Sequence, residues 1–182
     1  MGMALTVPRF TVDDLARFPD DGNRYELLDG ILLVTPQASL THQLVASRLA
    51  VHLASALREH GNAHVVGPGT VVRPPGTELQ PDVLVFAAHL ERDLTWTEVS
   101  GHWLAVEILS PSSRVYDRDF KRAAYFALGV REVWIVDIAD RSVDVWSSAA
   151  THDVARDVIR WRVPEGDRVV PIDVAALFAG ME

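Results

Sequence analysis

Apolar residues recur along this chain with two different periods, and the switch between them marks out the elements. Between residues 39 and 60, Leu44, Val45, Leu49, Leu53, Ala56 and Leu57 fall at helical spacing and stop at Gly61-Asn62, which predicts a first long helix. A second is predicted after Ser110-Pro111-Ser112-Ser113, whose serines can cap it, with Phe120, Ala123, Ala124, Ala127 and Leu128 recurring until Gly129. PDVLVF and HWLAVEIL are short, apolar and β-branched, the pattern of strands buried on both faces. RYELL and ILLVT flank Asp29-Gly30, a pair suited to the positive φ of a tight hairpin. VWIVDI and SVDVWS form a second predicted strand pair around residues 139 to 141, VIRWRV adds a strand, and a small helix closes the chain at Asp173 to Phe178.

The remaining segments fill in around these. TVDDLARF, residues 11 to 18, reads as a short helix capped by Thr11 and ended by Pro19. AHVVGPGTVVRP reads as an irregular extended segment, and ERDLTWTEVSG as polar loop. Strands and helices mixed in this order predict an α/β fold, a mixed β-sheet flanked by two main helices with extra C-terminal strands. No repeat or linker divides residues 1–182, so a single domain is expected.

Composition narrows the chemistry. The 182 residues are 48% hydrophobic, enough for a real core. There is no cysteine, which removes disulfides, thiolate metal sites and cysteine nucleophiles, so any metal must bind oxygen or imidazole. No apolar run approaches the length of a membrane span, and a soluble, cytoplasmic protein is expected, with no membrane partner. Gly2 and Thr6 match a myristoylation pattern, but no polybasic second signal follows. A formal charge of -8 and a pI near 5.3 speak against a broad non-specific nucleic-acid surface while leaving room for a local basic strip.

Two acids stand where apolar residues belong: Asp82 in PDVLVF and Glu107 in WLAVEIL. A buried carboxylate takes up a proton or needs a cation, so two on neighbouring strands suggest a metal site or an acid/base pair; each could instead cap a strand end or meet an arginine. Period-two geometry sets Trp103, Ala105, Glu107 and Leu109 on one strand face. Lys121 is the only lysine among 17 basic residues. From Glu107 to Ser110 a strand climbs roughly 10 Å, and a helix running back from Ser113 descends about 12 Å by Lys121. That returns Lys121 to the level of Glu107. The plainer readings are a stray lysine, or an i, i+4 pair with Asp117.

Asp82 after Pro81, Glu107 at the end of an apolar strand and a nearby lysine resemble the PD-(D/E)XK nuclease superfamily. More closely, YELLDG, HQ, QPDVLVF, VEILSPSS, DRDFKRAAY and G-V-x-E-V-W-I-V-D, over roughly residues 24 to 137, resemble the Uma-type family of restriction-endonuclease-like proteins. The superfamily lysine stands two residues after the glutamate, where this chain has Leu109; the Uma-type family is similar to this chain in taking its lysine from the following helix. The resemblance implies a restriction-endonuclease-like core, with Asp82 and Glu107 as metal ligands, Lys121 as the catalytic lysine and Glu26 as an additional acid and metal ligand. It implies a Mg²⁺-dependent endonuclease on DNA, with Mn²⁺ as a substitute. Hydrolysis of a phosphodiester needs an activated water and relief of negative charge, and a lysine beside a metal can lose a proton where arginine cannot.

Further candidates follow. Arg114, Arg118 and Arg122, at i, i+4 and i+8, could track a phosphate backbone or form a solvated face. Gln80 could touch the site, Tyr125 reads as packing or a hydrogen-bond partner, and His42 reads as a capping or surface residue. The tryptophans suit a core or a dimer interface, with Trp146 and Trp161 offering apolar surface for an expected homodimer. Two other readings are a catalytically silent nuclease-fold binding module and an oligomerising structural protein.

Overall fold

The computed structural model describes residues 8–59, 63–87, 94–110 and 116–181. Along the chain, α1 (Val12–Leu15) leads into β1 (Arg24–Leu28), β2 (Ile31–Thr35) and the long α2 (Leu40–Leu57). Then come β3 (Ala63–Val66), β4 (Val71–Arg73), β5 (Thr77–Leu79), β6 (Val83–Ala87) and β7 (His102–Ile108). A π-helical turn, Tyr116–Lys121, continues into α3 (Arg122–Ala127). The chain finishes with β8 (Glu132–Asp137), β9 (Ser142–Trp146), β10 (His152–Ala155), β11 (Val158–Arg162), β12 (Val169–Asp173) and α4 (Val174–Leu177).

Six strands in the order β10-β9-β8-β7-β6-β3 form the central sheet, and four in the order β2-β1-β5-β4 form a second. Within the central sheet β7 and β8 run parallel, joined by the crossover through α3, while the other neighbours are antiparallel. The sheet is therefore mixed, as the hairpin signals predict. Alternate residues feed two cores. Val83, Val85, Val106, Ile108 and Trp134 pack with Val45, Leu49 and Leu53 of α2; Leu84, Phe86, Ala105, Val133 and Ile135 pack with Tyr125 of α3 and Leu79 of β5. Burial on both faces is why these strands carry almost no polar residue. It also makes Asp82 and Glu107 conspicuous. Trp103, expected on Glu107's face, joins the α2-side core instead, because the register slips between Val85 and Phe86: Leu104 pairs with Val85 and His102 with Phe86, leaving Trp103 as the extra residue of a bulge.

Local chemistry sets the element ends. Asp29 and Gly30 hold φ of 49° and 80°, the two positive angles of the predicted hairpin turn. Ser39 Oγ accepts from His42 N at 3.2 Å to start α2, and Asp173 Oδ1 accepts from Ala176 N at 3.2 Å to start α4. Thr11 caps as expected, donating from N and Oγ1 to Asp14 Oδ2, but the helix lasts one turn instead of running to residue 18.

Two further expectations need correction. AHVVGPGTVVRP supplies two regular strands, β3 and β4, which belong to different sheets. At the C-terminal end, β11 pairs with β12 as a separate two-stranded sheet packed over the α2 side. Trp161 is thereby 2% exposed, edge-on to Trp134 at 6.1 Å, so it is core and not the apolar surface expected for a dimer. Trp146 is half-buried, stacked on His152 and under the Arg122 guanidinium. Among the described residues no helix is long and apolar enough to cross a membrane.

Candidate active site

The site forms where the chain passes from one sheet to the other. β5 leaves the four-stranded sheet at Leu79 and β6 enters the central sheet at Val83, so the three residues between, Gln80-Pro81-Asp82, are the corner. Gly67 and Gly69 run against its outer side, with Gly69 N donating to Pro81 O at 3.1 Å. A Cβ on Gly67 would stand 2.9 Å from Asp82 O and one on Gly69 2.5 Å from Leu84 Cβ, so only glycine permits this close approach. One step beyond the Val83–Val106 pair, the antiparallel register brings Asp82 opposite Glu107. Across the corner, Glu26 of β1 accepts from Gln80 N at 2.7 Å, tying the second sheet to the same point.

Lys121 enters from the crossover. Its Nζ stands 2.6 Å from Glu26 Oε2 and 3.4 Å from Glu107 Oε1. The shorter contact is an ion pair without the angular geometry of a hydrogen bond. Tyr125, one turn further on, donates its hydroxyl to Glu107 Oε1 at 2.5 Å, the hydrogen-bond role expected of it. The return of Lys121 to the level of Glu107 thus holds, although the segment delivering it is π-helical up to Lys121 itself. Such single π turns concentrate at functional sites.

Asp82 is held by a different set of groups. Oδ1 accepts from Arg24 Nη1 at 3.0 Å; Oδ2 accepts from Ile108 N at 2.8 Å and lies 3.1 Å from His42 Nε2. Burial pushes the Asp82 carboxyl up, but the hydrogen bond and charge of His42, the charge of Arg24 and the Ile108 N–H together hold it below the usual carboxylate range. Burial alone would lower Arg24; the charges of Asp82, Glu107 and Glu26 reverse that and raise it. Glu26, Glu107, Lys121 and Asp82 are 0%, 1%, 3% and 5% exposed. A cavity of about 730 Å³ opens over Asp82, Glu107, Lys121, Arg24 and His42.

The structure brings Glu26, Asp82, Glu107 and Lys121 together, and Gln80 with them: Gln80 holds Glu26 through its N–H, while its carbonyl accepts from Arg24 at 3.0 Å. Arg118 and Arg122 do not join them. Arg118 Nη2 donates to Asp144 Oδ2 at 2.9 Å and lies 3.9 Å from Asp137 Oδ2. Arg122 donates to the carbonyls of Arg118 and Ala149 and lies 3.7 Å over the Trp146 ring. Arg114 and the side chain of Asp117 lie outside the described residues. Arg24 is the site residue that the sequence reading missed, and His42, read as a capping or surface residue, is instead buried against Asp82. Arg24 stands two before Glu26 on one strand and so shares its face, a signal that period-two geometry could have supplied.

Hard cations such as Mg²⁺ take oxygen donors and are commonly held by one or two carboxylates together with substrate oxygens. Among the described residues no three His, Asp or Glu side chains form a self-contained metal cage. Asp82 and Glu107 fit the two-carboxylate mode, since both border the cavity; a cation there would compete with the Arg24 side chain on Asp82 Oδ1, which is 22% exposed. Glu26 fits less well, since Gln80 N and Lys121 Nζ already meet its two oxygens.

A family model described as "Uma2: Putative restriction endonuclease" matches residues 12–175. No curated protein matches. Among solved structures, a protein titled as a putative nuclease belonging to DUF820 from Anabaena variabilis superposes with a TM-score of 0.66 at 17% identity, over 93% of this chain and 97% of that one. That likeness concerns the fold.

Proposed function

Since the chain belongs to the Uma2 family of putative restriction endonucleases, we propose that it hydrolyses phosphodiester bonds of nucleic acid, DNA in the first instance, with Mg²⁺ or Mn²⁺ held by Asp82 and Glu107. One observation carries this reading: an apolar strand, a chain corner and a crossover helix, remote in sequence, deliver two acids and the only lysine to the floor of one cavity. Bound there, Mg²⁺ would neutralise phosphate charge and acidify a water. Lys121 would stand beside that water, to orient it and take part in its proton transfer. Glu26 and Glu107 hold the ammonium in place, and the Tyr125 hydroxyl fixes Glu107. Arg24 and His42 keep Asp82 ionised. Ile108 N–H orients the carboxylate from the strand beneath.

The silent binding module is favoured by one fact: both Asp82 oxygens already have cationic or N–H partners. Incubating the protein with DNA and RNA in Mg²⁺, Mn²⁺ or chelator separates the two readings. Cleavage that needs a divalent ion and disappears in Asp82→Asn and Glu107→Gln is expected. Metal-independent binding without cleavage would establish the silent module instead.

A further inference from the structure

We infer that the substrate enters this cleft as an unpaired strand, and that the β2–α2 loop with the first turn of α2 is the wall that reads it. The inference rests on the nuclease reading above and names its substrate class. Depth is the first argument. Asp82, Glu107 and Lys121, which line the cavity, are each at most 5% exposed, so a scissile phosphate must go down into the cavity to meet them. That cavity, about 730 Å³, has the volume of a small-ligand pocket, equivalent to a cube about 9 Å on edge. A nucleotide with one neighbour fits such a space. A paired duplex, whose bases are stacked inside two phosphate strands, would have to lower both strands and leave the scissile phosphate outside.

Wall chemistry is the second argument. Thr35, Gln37, Thr41 and Gln43, from the end of β2 to the first turn of α2, line the cavity together with Gln80 and Ser110. These are neutral hydroxyls and amides. Duplex affinity comes chiefly from Lys and Arg on phosphates, whereas amide side chains pair with base edges, which only an unstacked nucleotide presents in full. The basic side chains of the cleft, Arg24, His42 and Lys121, are each paired to its acids. Arg118 and Arg122, which a duplex backbone could have used, are turned instead onto Asp144 and the Trp146 ring. The net charge of -8 adds to the preference for a substrate of lower charge density.

The test compares circular single-stranded DNA, single-stranded RNA and a relaxed, covalently closed duplex of the same sequence, each with Mg²⁺ and Mn²⁺. Single strands are expected to be cut at least about ten times faster than the closed duplex, and a duplex with an internal unpaired stretch is expected to be cut within that stretch. The DNA and RNA arms report whether the wall tolerates a 2′-hydroxyl. Equal or faster cutting of the fully paired duplex overturns the inference while leaving the nuclease reading intact. If nothing is cut, the nuclease reading fails, and fluorescence anisotropy with labelled oligonucleotides decides the inference: a single strand bound about tenfold tighter supports it, equal binding overturns it. The double variant Gln37→Ala/Gln43→Ala, both positions being exposed, should keep its melting temperature and bind the single strand about fivefold more weakly. Unchanged affinity removes the wall assignment.

Discussion

Two charge clusters lie on either side of the segment from Arg118 to Tyr125, and they differ in the cation used. On the cleft side, Lys121 meets Glu26 and Glu107 with 4% of its side chain exposed. On the far side, Arg118 meets Asp144 and Asp137 with 38% exposed. Arg122, the next turn along, adds a contact to the Trp146 ring. A guanidinium is planar and permanently charged, with its donors in a fixed fork, so it makes a joint. An ammonium is compact, has three rotatable donors and can surrender a proton. The arginines thus bolt the crossover onto β8 and β9, and under the proposed function the one lysine stands where a proton has to move. On that proposal the difference accounts for a single lysine in a chain that otherwise uses arginine.

The contrast can be strained from either end, beginning with the cleft. Lys121→Met leaves Glu26, which is fully buried, without its cation. It should lower the unfolding free energy by about 3–5 kcal/mol, read by denaturant titration; a loss under about 1 kcal/mol would mean that Glu26 is held neutral without the lysine. Asp82→Asn comes next. Calorimetry should show Mg²⁺ or Mn²⁺ affinity reduced at least about tenfold, and unchanged affinity would remove Asp82 from the ligand set.

The same substitution carries a pH signature. Asp82 is depressed in the folded state, so its contribution to stability is present above the ordinary carboxylate pKa and is lost as the pH falls through the depressed value. Melts between about pH 5 and 2 should fall more steeply for the wild type than for Asp82→Asn. Parallel curves would contradict that depression.

Effects at the joint should be smaller. Arg118→Ala should cost about 1–2 kcal/mol, less than a fully buried pair because solvent screens a side chain 38% exposed. Metal affinity should stay unchanged, since neither Arg118 nor its acids border the cavity. Arg122→Lys keeps the charge and loses the planar stacking on Trp146, for about 0.5–1 kcal/mol. Were Arg118→Ala to weaken metal binding as strongly as Asp82→Asn, the two clusters would be one functional unit.

What could be read in advance follows from what each residue violates. Asp82 and Glu107 were legible because acids contradict strands built for burial on both faces, and Lys121 because it is alone and the strand-to-helix distance returns it to Glu107. Glu26 came from the family resemblance, since nothing in RYELL marks it as buried. Arg24 and His42 break no local rule, an arginine opening a strand and a histidine in a helix's first turn. Their meeting at Asp82 is set by how the two sheets and α2 come together. The arginine ladder was legible as spacing but not as direction, because Asp144 and Trp146 claim it from a hairpin more than twenty residues away. β10 and β12 escaped notice for simpler reasons. β10 is only four residues long and mostly exposed, and β12 contains Pro171, which is tolerated there because a two-stranded sheet has only edge strands.

The central claim is that Lys121 does chemistry at a carboxylate-held metal, and Lys121→Arg tests it most directly because charge is conserved while proton exchange and fit are not. Single-turnover cleavage in Mg²⁺, measured beside the wild type, should slow by roughly 10²-fold or more with metal affinity retained. A variant that cleaves at the wild-type rate would show that this position needs only a positive charge, and the account of the lone lysine would be wrong.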